Sequence, residues 1–229
     1  MASKTLILDS SIQPTKKRNH LFNTILRQAD SIKSGVLTIY FVFFATSFFL
    51  VSVFDKVFLH KSINTFHAPF LDLFFKYTTF LGDGIMFGVL FLIFFFIDKR
   101  LSYVFAVGGI LTLLITHFFK KIIFKGLPRP VAEIGENALH LIEGVKIALA
   151  NTFPSGHSTT AFAIFTILCL YYYKCKSQYL WISLAILAGF SRVYLSQHFL
   201  IDIFVGSTIG IGIGFISMAI FCKPLRRLH

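Results

Sequence analysis

The chain has 229 residues, of which 55% are hydrophobic and only 14% charged, with 30 Phe and a mean hydropathy of +0.75. Soluble domains are roughly 45–50% apolar, so the composition excludes an ordinary soluble domain and reads as an integral membrane protein. The net charge of +12 does not imply nucleic-acid binding, because basic residues in such a chain first report its topology.

Residues 1–34 form a basic segment with Lys4, Lys16, Lys17, Arg18, Arg27 and Lys33. No small-residue cleavage site follows the first apolar run, so no signal peptide is expected and that run stays as an anchor. Apolar runs then recur over 35–54, 81–97 (interrupted by Asp83), 101–119, 158–173, 179–193 and 199–222. At 1.5 Å per residue such runs suit a hydrocarbon core of about 30 Å. The expected fold is all-α: a six-transmembrane-helix bundle over 35–222 between the N-terminal segment and a basic tail, 223–229. No linker or repeat divides it. With the N-terminus inside, 13 of the 22 Lys and Arg residues face the cytoplasm, which places both termini there. Lys120, Lys121, Lys125 and Arg129 nevertheless crowd into one outer loop and need a local cause. Cys169, Cys175 and Cys222 show no metal-ligand spacing and read as reduced thiols.

Three polar stretches fall on the outer face: "KKIIFKGLPRP", "PSGH" and "SRVYLSQHFLID". His198 and Asp202 are four apart, so on a helix the carboxylate can accept from one imidazole nitrogen and leave the other as a nucleophile; the plainer reading is an interfacial pair. Arg192 reaches the same pocket only through a turn. In "PSGH", Pro154 starts a helix, Ser155 caps it and Gly156 lets a ligand approach the backbone, while the free amides and helix dipole favour an anion. His157 could then exchange a proton; alone, the tetrapeptide reads equally well as a cap followed by an interfacial His. Arg129 offers a bidentate fork for phosphate and a Lys from the end of the third helix a point charge. Attraction to anionic headgroups is the competing account of Lys120 and Lys125.

Arg129-Pro130, then Pro154-Ser155-Gly156-His157, then Ser191-Arg192 with His198 and Asp202 following, resemble in order and spacing the three-part signature of the type 2 phosphatidic acid phosphatase (PAP2) superfamily, in its membrane-bound lipid phosphatase branch. The resemblance covers about 120–202. It implies an active site at the outer membrane edge where His198 attacks phosphorus to give a phosphohistidine and Asp202 orients it. Lys121, Arg129, Ser155, Gly156 and Arg192 would hold the phosphoryl oxygens, and His157 would protonate the leaving oxygen and then activate water. No metal or cofactor is implied. The family spacing would put its Lys at position 122, which is Ile122 here. Lys121 is the expected substitute over Lys120, because the irregular "FKGLP" stretch can absorb a one-residue slip.

The implied activity is hydrolysis of the terminal phosphate of a phospholipid or polyprenyl (di)phosphate, such as phosphatidic acid, phosphatidylglycerophosphate or undecaprenyl diphosphate. The alternative is a phosphotransferase passing the group to another lipid such as lipid A. The implied location is the cytoplasmic (inner) membrane with the site toward the periplasm or cell exterior, and the implied partners are lipids. Residues 131–150 read either as an interfacial lid or as a plain loop. Asp83 reads as a helix cap, and the stripe of Gly206, Gly210 and Gly214 as packing within the bundle.

Overall fold

The computed structural model describes residues 14–221, with side chains from residue 21. Lys4, Cys222, Lys223, Arg226 and Arg227 therefore lie outside the described residues, and so does the tail 223–229. Among the described residues ten α-helices run in chain order: α1 (Pro14–Ala29), α2 (Ser34–Val53), α3 (Lys56–Asn64), α4 (Pro69–Thr78), α5 (Ile85–Ile97), α6 (Lys99–Phe118), α7 (Pro130–Ile134), α8 (Gly156–Tyr171), α9 (Ser177–Tyr194) and α10 (Leu200–Phe221). Each of the six expected spans overlaps one of these helices.

Among the described residues, α2, α6 with its extension to Ile123, and α10 are long and apolar enough to cross a membrane. A fourth candidate is the pair formed by Pro69–Gly82 and α5, bent by 62°. The expected run 81–97 is therefore broken at its start. Its first residues belong to a 3₁₀ turn, Thr79–Gly82, and the Asp83 carboxylate accepts the Ile85 amide at 2.9 Å beyond the break. The stretch between the first two runs is also more ordered than a loop. It holds α3, capped by Asp55, whose carboxylate accepts from Val57 and Phe58, and α4, with Pro69 in its first turn.

At the opposite end, Asp98 caps α6 by accepting from the amides of Arg100 and Leu101, and the Tyr171 hydroxyl donates to the same carboxylate at 2.6 Å. One short acidic turn thus ends α5, starts α6 and ties both to the end of α8. Cys169 is buried and Cys175 exposed, neither in a disulfide.

α8 is the central helix, buried continuously from Ser158 to Leu170. A helix apolar all round needs partners on every side; α6, α9 and α10 supply them. Large apolar side chains such as Phe41, Phe96 and Leu113 point outward from α2, α5 and α6, as expected for helices solvated by lipid.

α10 approaches α8 through its glycine stripe. A Cβ at position 206 would lie 2.6 Å from the Ser155 carbonyl oxygen, one at 210 would lie 2.9 Å from Phe162 Cβ, and one at 214 would lie 2.7 Å from Thr166 Cβ. The stripe therefore serves contact inside the bundle. Gly212, on the same helix, faces open space. Gly210→Ala should lower stability by about 1–3 kcal/mol through overpacking, whereas Gly212→Ala should be neutral or slightly stabilising; thermal unfolding of both in detergent checks the contrast.

Candidate active site

The site lies where α8 and α10 begin and α6 and α9 end. Helix N-termini carry partial positive charge and C-termini favour cations, so this end of the bundle suits both an anion and the basic side chains around it.

The turn after α9 folds back on itself: the amides of Gln197 and His198 both donate to the Arg192 carbonyl, at 2.9 and 3.1 Å. Ser196 takes a positive φ of 52° there. α3 braces the turn, with His60 Nε2 3.1 Å from Ser196 Oγ and Asn64 Nδ2 donating to the same hydroxyl at 3.3 Å. Burial lowers the His60 pKa to about 4, so the brace is built on a neutral imidazole. The His198 and Asp202 side chains are almost fully buried, with Nδ1 3.3 Å from Oδ2.

Asp202 is the third residue of α10, and its Oδ2 accepts the Phe199 amide at 3.0 Å. That is the returning half of a capping box, so one carboxylate both starts the helix and faces the imidazole. Thr152 completes the group. Its hydroxyl donates a short hydrogen bond to Asp202 Oδ2 and lies 3.2 Å from His198 Nδ1. A hydroxyl that gives its proton to a carboxylate can only accept from the imidazole. Nδ1 therefore carries the proton, and the Nε2 lone pair is left unprotonated.

Thr152 comes from a segment zipped to the first polar stretch. Arg129 N donates to Leu149 O at 2.9 Å, and Gly126 N donates to the Asn151 side chain at 3.2 Å. The Arg129 guanidinium crosses this zipper to reach the Ala150 and Gln197 carbonyls at 3.0 and 3.1 Å. Arg192 donates from Nη1 to Thr79 Oγ1 at 2.7 Å, while its buried Nε has no partner among the described residues. An unpaired buried donor on a cation suits the binding of an anion.

Ser155 is fully buried as the N-cap of α8, accepting from the Ser158 amide and hydroxyl. Its own amide donates to the Asp202 carbonyl at 3.1 Å, which locks the starts of α8 and α10 together. His157, in the first turn of α8, keeps its side chain 31% exposed at the rim of the site.

The structure brings His198, Asp202, Arg129, Ser155, Gly156, His157 and Arg192 together, but it corrects the Lys. Lys121 is exposed. Lys120 turns inward, its Nζ 3.7 Å from where a Gly156 Cβ would stand. Both lysines stand on a π-helical turn, Phe119–Ile123, closed by Phe124 N donating to Phe119 O at 2.8 Å. A π turn adds a residue to the helical repeat, so side chains on it leave the α-helical register.

Sequence reasoning also gave no role to Thr152, although it stands in the "NTFPSGH" stretch, or to Thr79. Burial holds the His198 pKa well below the usual histidine range, helped by the nearby positive charges of Arg129, Lys120 and Arg192 and by His157. Burial likewise lowers the Arg129 pKa, with Asp202 opposing.

A family model, the PAP2 superfamily, matches residues 99–225, more than half of the chain. The crystal structure of LpxE from Aquifex aeolicus is similar at 27% identity and a TM-score of 0.62, covering 74% of this chain and 98% of that one. The transmembrane PAP2-type phosphatidylglycerolphosphate phosphatase from Bacillus subtilis shares the fold at 19% identity and a TM-score of 0.51, covering 93% of this chain and 99% of that one. No curated protein matches.

The inward lysine sets an expected contrast: Lys120→Ala should weaken orthovanadate binding about tenfold or more, the loss expected for a charged hydrogen bond, and Lys121→Ala should leave it near wild type, as calorimetry can show. For His198, a folded pKa below the ordinary value of about 6.5 means that the neutral form persists as pH falls through 6.5. Its ¹⁵N NMR signals should accordingly show no protonation between about pH 7 and 6, and a midpoint near 6.5 would contradict the burial argument.

Proposed function

We propose that this chain, which belongs to the PAP2 superfamily, is an integral membrane lipid phosphatase that removes the terminal phosphate of a phospholipid or polyprenyl (di)phosphate through a phosphohistidine. The observation that carries the reading is the His198–Thr152–Asp202 group, which leaves Nε2 unprotonated beside three cations.

In the proposed first step, His198 Nε2 attacks phosphorus in line and the bond to the lipid oxygen breaks. Negative charge grows on the phosphoryl oxygens, where Lys120, Arg129, Arg192, Ser155 and the Gly156 amide would receive it. His157 gives its proton to the departing oxygen. In the second step it takes a proton from water as that water attacks the phosphohistidine, and inorganic phosphate leaves. The fixed cations supply the charge compensation that a divalent ion supplies in metal phosphatases; no metal or other cofactor enters the proposal.

The similarity to LpxE and to the Bacillus phosphatidylglycerolphosphate phosphatase, together with the lipid-facing apolar surface, supports an amphiphilic substrate whose headgroup enters from the membrane edge. Six crossings, formed by α2, α5, α6, α8, α9 and α10 within a 35–222 domain, belong to the same proposal. So do cytoplasmic termini and an outward-facing site in the inner membrane, on the strength of the Lys and Arg bias.

Purified protein in nanodiscs, offered a panel of lipid phosphates and diphosphates, should release phosphate from at least one of them in the presence of a strong chelator. His198→Ala should lower that rate by 10³-fold or more, on the order of what loss of a catalytic nucleophile costs, without losing its fold. Undiminished turnover by this variant would refute the mechanism.

A further inference from the structure

The 3₁₀ turn and the residue after it, Thr79 to Asp83, touch the site from outside the matched residues 99–225. Thr79 receives the Arg192 hydrogen bond. Gly82 is pressed against α8 so closely that a Cβ there would stand 2.7 Å from the His157 carbonyl oxygen. Asp83 then points one carboxylate oxygen at the Ile85 amide, 2.9 Å away, and the other at His157 Nε2, 4.0 Å away. Helix capping needs only the first of these contacts.

Burial opposes charge on His157 first, and the charges that reach it from several elements, Arg192 on α9, Lys120 at the end of α6 and Arg129 on the outer loop, are all positive. His198, from the turn after α9, is coupled to it as well. A proton donor crowded by three cations loses its proton easily and is a poor reservoir at neutral pH. The Asp83 carboxylate stands at ion-pair distance, 4.0 Å, from its Nε2, and its charge also reaches Arg192.

We propose that Asp83 is a positioning residue for the reaction proposed above, on which this inference rests: its carboxylate holds His157 through Nε2 and favours the imidazolium form. The ring is then oriented with Nδ1 as the nitrogen that gives a proton to the leaving oxygen and takes one back from water. No bond to Asp83 forms or breaks, and Nε2 keeps its proton in both steps. The two histidines are thereby served alike, His198 by Asp202 through Nδ1 and His157 by Asp83 through Nε2.

The test compares Asp83→Asn with wild type on two substrates: a lipid phosphate, whose alkoxide leaving group needs a proton, and a nitrophenyl phosphate, whose leaving group does not. Asn retains the capping oxygen and removes only the charge. The expected result is a fall in kcat/KM of about tenfold or more on the lipid phosphate, within the range of general acid catalysis, with less than about a threefold fall on the nitrophenyl ester, as Brønsted behaviour predicts. The alkaline limb of the lipid-phosphate pH profile should move to lower pH, because losing the carboxylate makes the imidazolium easier to deprotonate. In a His157→Ala background Asp83→Asn should cost nothing further. Equal losses on both substrates, an unmoved limb, or losses that multiply with His157→Ala would each overturn the inference. The parent reading fails separately, through a wild type that releases no phosphate from either substrate or a His198→Ala variant as active as wild type.

Discussion

The Ser155 amide donates to the Asp202 carbonyl at 3.1 Å, and the outer end of the bundle depends on that contact. It joins the starts of α8 and α10, so the cap that presents Gly156 and the carboxylate that faces His198 are fixed relative to each other by main chain rather than by flexible side chains. Such closeness requires a missing Cβ at position 206, where one would lie 2.6 Å from the Ser155 carbonyl. The next two stripe glycines extend the approach for two further turns. Helix packing and site geometry are in this sense one constraint, because in lipid no hydrophobic drive brings helices together and close backbone contact has to supply the attraction.

The second organising feature is an imbalance of charge. Lys120, Arg129 and Arg192 converge on a buried imidazole with only the Asp202 carboxylate at its centre. Grouping cations away from water costs stability unless an opposite charge arrives. The unpartnered Nε of Arg192 marks the same deficit in hydrogen-bond terms. A protein that needs an anion to complete its polar network is preorganised for one, since its donors need no reorganisation when the anion binds or when charge develops on it. The cost is met by the apolar packing around α8 and by anchors that leave the cations little freedom: Arg129 is tied to two carbonyls and Arg192 to Thr79.

Much of this could be read from residue types. The helices corresponding to runs 35–54, 101–119 and 199–222 are legible because a span excludes charge, and the ordered motifs bring together the right loops. The remainder turns on geometry that residue type does not encode. α3 and α4 are short, and their Lys56, Lys61, Asp72 and Lys76 break the charge-free runs by which spans are recognised. Lys120 and Lys121 stand on a π turn, a change of hydrogen-bond register with no residue signature. Thr152 matters through where its backbone is zipped to Leu127, a contact between residues 25 apart. Asp83 is legible as a cap, but its second oxygen meets His157 only after α5 has bent away from the turn before it.

The two histidines differ in one respect that fits their proposed tasks. The His198 side chain is 2% exposed and that of His157 is 31% exposed. A nucleophile that must attack in line gains from being held without freedom and kept neutral, and burial achieves both. A proton carrier has to reach a leaving oxygen in one step and a water in the next, so full burial would defeat it. Partial exposure, however, gives up some of the close packing that fixes a ring in place. A carboxylate at the rim, standing on a bent and glycine-tight turn rather than in the core, supplies orientation at a place where packing cannot.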